Sequence, residues 1–295
     1  ATGTKLLYLE NLDTVPFMTR LQPAASGSAD SIVLQGIDQP TANSVTLDLD
    51  IALQKDTNIN AGTAALTLRA LGVGRDNRSR QVRIDLGYHS GGAVTSLGTT
   101  TQSLNLLTGS VSTLVYTIPV AATLIPAGNR LQIVITNIAT NTNDDMQIYS
   151  FDSGANRSNL ALLPAPVINV DAITFWSATM GAGVPVTNPD PAGADVDVYA
   201  RIVISDPFGE ADIQAPDDLL NPTTVIVTDP AAAIGGVSGS VGCTAPCYAY
   251  AGEDLTNDLD GATRTFYYII RVNADPPSNR GTWTIQVTAN EGLEV

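Results

Sequence analysis

Strict alternation of apolar and polar residues constrains this chain more than any other feature. In the stretch Ser44–Leu53, Val45, Leu47, Leu49 and Ile51 fall on one side, while Thr46, Asp48 and Asp50 fall on the other. Near the other end, Trp283, Ile285 and Val287 share a face, and Thr282, Thr284, Gln286 and Thr288 share the opposite one. A period of two belongs to a half-buried β-strand and not to a helix. Antiparallel sandwich strands carry this alternation, with one face on a core and one in water.

Further runs predict strands at Lys5–Glu10, Ser31–Leu34, Ala65–Leu71, Gln81–Tyr88, Ser112–Ile118, Arg130–Asn137 and Met146–Phe151. In the second half they fall at Asp195–Ser205, Thr223–Thr228 and Thr265–Val272. Frequent Gly, Pro, Asn and Asp between the runs supply turns. The fold class expected is all-β, as two antiparallel β-sandwiches. The prolines of Leu162–Ile168 interrupt the strand pattern, because proline cannot donate to a ladder. The expected domains are therefore residues 1–163 and 168–295.

Charge divides at the same place. Residues 1–165 hold 12 acidic and 10 basic side chains, a net of −2, whereas residues 166–295 hold 17 and 4, a net of −13. Lysine occurs only at Lys5 and Lys55. So acidic a surface argues against nucleic acid, whose phosphates need basic partners. No segment approaches the roughly 18–20 continuous apolar residues of a membrane-spanning helix. Ala1–Gly3 reads as the remnant of a cleaved signal peptide, which implies export.

Two short patterns carry family resemblances. Ile125-Pro-Ala-Gly128 followed by Arg130 and Leu131 resembles a turn and strand of jelly-roll domains of the galactose-binding-like and carbohydrate-binding kind. Asp206-Pro-Phe-Gly209 with Asp212 and Ile213, then Gly281-Thr-Trp-Thr284 and Val287–Gly292, resembles a bacterial cell-surface Ig-like module. These resemblances imply a jelly-roll-like first domain, an Ig-like second domain and an extracellular, cell-surface setting.

Candidate chemistry is sparse. His89, the sole imidazole, sits beside turn glycines, and no nucleophile elbow of the Gly-x-Ser-x-Gly type precedes a helix. Glutamates number five, and aromatic platforms for a glycosidase cleft are scarce. The expectation is a protein that is not an enzyme. Cys243 and Cys247 share one loop, where a local disulfide is expected. Calcium is the metal considered, at Asp254, Asp258 and Asp260, with hydrated turn aspartates as the alternative. Two sequons begin at Asn77 and Asn156.

The functional expectation is a structural or adhesive surface protein, self-associating into a filament or sheath or joining other surface proteins. A glycan-binding module is the alternative. The assembly contacts expected are Leu6, Leu7, Tyr8 and Leu9 near one end and Trp283, Ile285 and Val287 near the other, either able to pair with an open sheet edge.

Overall fold

The computed structural model describes residues 3–10, 15–20, 31–36, 43–74, 78–139, 144–150, 157–163, 168–179, 182–189, 196–219, 222–228, 248–255, 261–272 and 282–291. The chain divides into two units, Ala1–Val167 and Ile168–Leu293. Both are all-β and built from antiparallel sheets, the sandwich-type class that the alternation predicts. Among the described residues no helix is long and apolar enough to cross a membrane.

The first unit runs through β1 (Lys5–Glu10), β2 (Phe17–Thr19), β3 (Ser31–Leu34), β4 (Ser44–Leu49), β5 (Thr57–Ile59), β6 (Gly62–Gly74) and β7 (Arg78–His89). It continues through β8 (Thr95–Leu106), β9 (Ser112–Val120), β10 (Thr123–Ile125), β11 (Arg130–Asn137), β12 (Asp144–Tyr149) and β13 (Asn159–Leu162). Eleven of these make one sheet in the order β3-β12-β6-β13-β1-β2-β4-β11-β7-β8, with β9 along the other edge of β6. Every pairing in it is antiparallel except β2 with β4. β9 alternates without a fault, its Leu114, Tyr116, Ile118 and Val120 buried and the residues between them exposed.

The sheet curls until its far strand β8 meets β9. A Cβ on Gly98 would stand 2.2 Å from the Pro119 carbonyl oxygen, so only glycine permits this approach. A second tie lies inside. Arg80, fully buried, donates from Nε to the Asp145 carbonyl at 2.6 Å. Its two terminal nitrogens reach the carbonyls of Leu106 and Val73, each at 3.1 Å. One guanidinium thus joins β7 to β6, β8 and β12. Gly72 leaves it room, since a Cβ there would lie 2.7 Å from a guanidinium nitrogen.

The second unit contains β14 (Asn169–Trp176), β15 (Val196–Ser205), β16 (Thr224–Thr228), β17 (Tyr248–Glu253), β18 (Thr263–Val272) and β19 (Thr284–Thr288). One sheet has the order β14-β15-β18-β17 and the other is the pair β16-β19. Their inner faces meet through Ala200, Ile202, Ile204, Val225, Val227, Phe266, Tyr268 and Ile270. The Asp206–Gly209 turn is closed by the Asp206 carboxylate accepting from the Phe208 amide at 2.7 Å, and Gly209 takes a φ of 112°. Ile213 then bridges to Glu291, which joins the two halves of the Ig-like sequence pattern.

The run Leu6–Leu9, expected to make assembly contacts, pairs within its own chain. Leu6 and Leu7 lie opposite Ala161 and Leu160 of β13, while Tyr8 and Leu9 lie opposite Thr19 and Met18 of β2. Lys5–Tyr8 thus pair along one edge with β13 and Tyr8–Glu10 along the other with β2, both of the same chain. Its apolar run reflects burial: Leu7 and Leu9 have no exposed surface and Tyr8 has 7%.

Gly98→Ala and Gly72→Ala should each destabilise the first unit by about 1–3 kcal/mol, the usual cost of forcing an atom into a packed site. Arg80→Met should cost about 3 kcal/mol or more, since three carbonyl oxygens lose a donor in the interior. Urea unfolding followed by far-UV circular dichroism measures these losses, and unchanged midpoints would remove both ties from the account.

Candidate functional site

Cys243, Cys247, Asp258 and Asp260 lie outside the described residues. Asp254 is fully buried and accepts from the Tyr267 hydroxyl at 3.3 Å, while its amide donates to the Thr265 carbonyl. Among the described residues no three His, Cys, Asp or Glu side chains gather as a metal site. Trp283, Ile285 and Val287 are half-buried against the core of the second unit, and β19 is paired with β16. Asn77 and Asn156 lie outside the described residues. Ser158 of the second sequon is buried, donating to the Tyr149 carbonyl and accepting from the Arg69 amide.

His89 ends β7, and its Nε2 stands 3.1 Å from Asp48 Oδ1. The Gly91 amide donates to its Nδ1 at 3.0 Å. This geometry fixes the neutral tautomer with the proton on Nε2, directed at the carboxylate. Gln132 donates to the same oxygen at 2.7 Å. Asp48 and Gln132, which sequence reading missed as partners, come from β4 and β11, whose register places them opposite one another. Both ring nitrogens are thus engaged within the chain, by Asp48 and by the Gly91 amide.

The densest chemistry lies at the rim of the second unit. Five of the chain's sixteen aromatic residues fall on β17 and β18. β17 closes one end of its sheet, and register sets Tyr248 opposite Ile270 and Tyr250 opposite Tyr268, on the core-facing side. Among the described residues the facing sheet has two strands, β16 and β19, and Tyr248 and Tyr250 are half-buried. Tyr268 lies 5.6 Å from Tyr250 and 6.4 Å from Tyr248 between ring centroids, and Tyr250 lies 6.3 Å from Phe266. Interplanar angles of 41–62° keep the rings tilted and not stacked.

Polar groups border the rings. Arg264 grips Glu253 through two hydrogen bonds of 2.6 and 2.7 Å and donates to the Ile213 carbonyl. Its guanidinium carbon lies 5.2 Å from the Phe266 centroid. Asp218 closes the following turn by accepting from the Ala215 amide at 2.5 Å, and Asp217 beside it is exposed. Burial first, then the negative charges of Asp217 and Glu253, push the Tyr250 phenol up to about 12, against the opposing effect of Arg264. Burial, then Tyr248 and Asp217, push the Tyr268 phenol up to about 12.

No protein-family model matches the chain, and no curated protein matches it. Among solved structures, a CocE/NonD family hydrolase from Staphylococcus aureus is similar at 13% identity with a TM-score of 0.44, over 55% of this chain and 36% of that one. An alpha-amino acid ester hydrolase is similar at 14% identity and a TM-score of 0.42, over 55% and 36%. An aminopeptidase from a marine sediment Thaumarchaeota archaeon has 12% identity and a TM-score of 0.42, again over 55% and 36%. The chain spans about a third of the length of each. The expectation of a non-enzymatic structural or adhesive protein is corrected by these neighbours, which are hydrolases. A likeness this distant carries no activity over to the chain.

The phenol positions predict an alkaline titration in two steps. An unfolded tyrosine ionises near pH 10. The protonated Tyr250 and Tyr268 therefore stabilise the fold fully below about pH 10, and that contribution is lost as the pH rises through about 12. Phenolate absorbance should show a delayed fraction that shrinks in Tyr250→Phe and Tyr268→Phe. An unshifted curve in both variants would contradict the described field.

Proposed function

We propose that the second unit is a ligand-binding β-sandwich that receives its ligand on the rim formed by Tyr248, Tyr250 and Tyr268. One observation carries this reading: two half-buried phenols on β17 pack against a buried one on β18, beside an ion pair already locked in place. The first unit fills its core mainly with Leu, Ile and Val, its buried tyrosines Tyr8 and Tyr116 standing on separate strands, β1 and β9. Aliphatic side chains suffice to fill a core, whereas tyrosines add flat faces and hydroxyl groups suited to recognition. Arg264 and Glu253 are fixed before any ligand arrives, which lowers the ordering cost of binding.

A fragment screen by nuclear magnetic resonance tests the reading on the whole chain. Hits should perturb the ring signals of Tyr248, Tyr250 and Tyr268, and Tyr250→Ala should weaken them about five-fold or more, the worth of one aromatic contact of about 1 kcal/mol. Hits that map elsewhere, or that survive the substitution in a folded variant, would overturn it.

An extracellular setting accords with this reading, on the resemblance of the Asp206–Gly209 and Gly281–Thr284 patterns to surface modules. In that setting Cys243 and Cys247 are oxidised to a local disulfide. Alkylation of the unreduced protein should then label neither thiol, and stoichiometric labelling of both would count against it.

A further inference from the structure

We infer that the tyrosine rim takes a weakly hydrated organic cation, of the quaternary ammonium or guanidinium class; this rests on the rim being the binding site. Three observations select that chemistry. The first is the sign of the local charge. Glu253 is balanced by Arg264, which also faces the charge of Asp218, and this leaves the exposed Asp217 carboxylate acting on Tyr250 and Tyr268. The charge of Asp217, which adds to burial in resisting ionisation of Tyr250 and Tyr268, also attracts a positive ligand.

The second is the use of ring faces within the cluster. Arg264 already places a cation over Phe266 at 5.2 Å, so one member of the aromatic group is engaged in this way by the chain itself. The tilted packing of Tyr248, Tyr250 and Tyr268 prevents the rings from covering one another fully. Ring faces carry negative potential and are the groups that recognise quaternary ammonium ligands.

The third is what the rim cannot replace. A compact metal ion or a primary ammonium keeps a tight hydration shell and needs several oxygens in exchange. Among the described residues no such set of carboxylates gathers. Guanidinium and quaternary ammonium groups shed water more readily, and flat aromatic faces suit them.

The test titrates the full chain with tetramethylammonium chloride, and in parallel with its neutral counterpart tert-butanol, at matched ionic strength. The readout is the ring signals of Tyr248, Tyr250 and Tyr268. Saturable shifts should appear with the cation alone, weakened about three- to thirty-fold by Tyr250→Ala. Asp217→Asn, a surface change that leaves packing untouched, should weaken them too. Equal shifts from tert-butanol would overturn the cation class while keeping the rim as an apolar site. Silence toward tetramethylammonium, with fragments still binding at the rim, would do the same. Silence toward fragments as well would bring down the binding site itself.

Discussion

One buried guanidinium carries much of the first unit. In hydrogen-bonding order, β7 and β8 stand at one end of the eleven-stranded sheet, and β6 and β12 stand towards the other. Arg80 leaves β7 and donates to carbonyls on β6, β8 and β12, so it spans strands that the ladders keep far apart. Placing a charge in the interior is costly, and it is tolerated only where donors find acceptors. That demand reaches outward: Gly72 must lack a side chain, and Gly98 must let β8 approach Pro119. With the layers held in this way, the alternating aliphatic residues have a core to fill.

The second unit solves the same problem differently and keeps its polar chemistry at an edge. Among the described residues its larger sheet has four strands and its smaller one two, and the tyrosines on the core-facing side of β17 are half-buried. Tyrosine suits such a margin, having an apolar body and a hydroxyl that tolerates water. The strong acidity of this half of the chain gives the margin a negative field. Recognition of a cation by aromatic faces follows from those two facts together.

Period-two patterning made the half-buried strands legible. β4, β9 and β11 alternate because one face meets the core and the other meets water. β8 was not legible. Its Thr95–Leu106 segment is dominated by Thr, Ser, Gln and Asn, with only Leu97 and Leu106 buried. β14 is partly exposed along its length, so no face stood out. Arg80 was equally hidden, since an arginine between Ser79 and Gln81 reads as surface charge. The pairings that make the sites depend on register across long separations: Asp48 meets His89 and Gln132, and Tyr250 meets Tyr268. A local pattern cannot carry that information. The apolar run Leu6–Leu9 was visible, but the same run serves a central strand or an exposed arm.

The most direct measurement is crystallographic. Tetramethylarsonium has the charge and shape of a quaternary ammonium ion, and its arsenic scatters anomalously. Crystals of the full chain soaked in its salt should give an anomalous peak against the rings of Tyr248, Tyr250 and Tyr268, within about 6 Å of a ring centroid. An anomalous map with no peak at that rim, or with its peaks confined to other surfaces, would contradict cation recognition there.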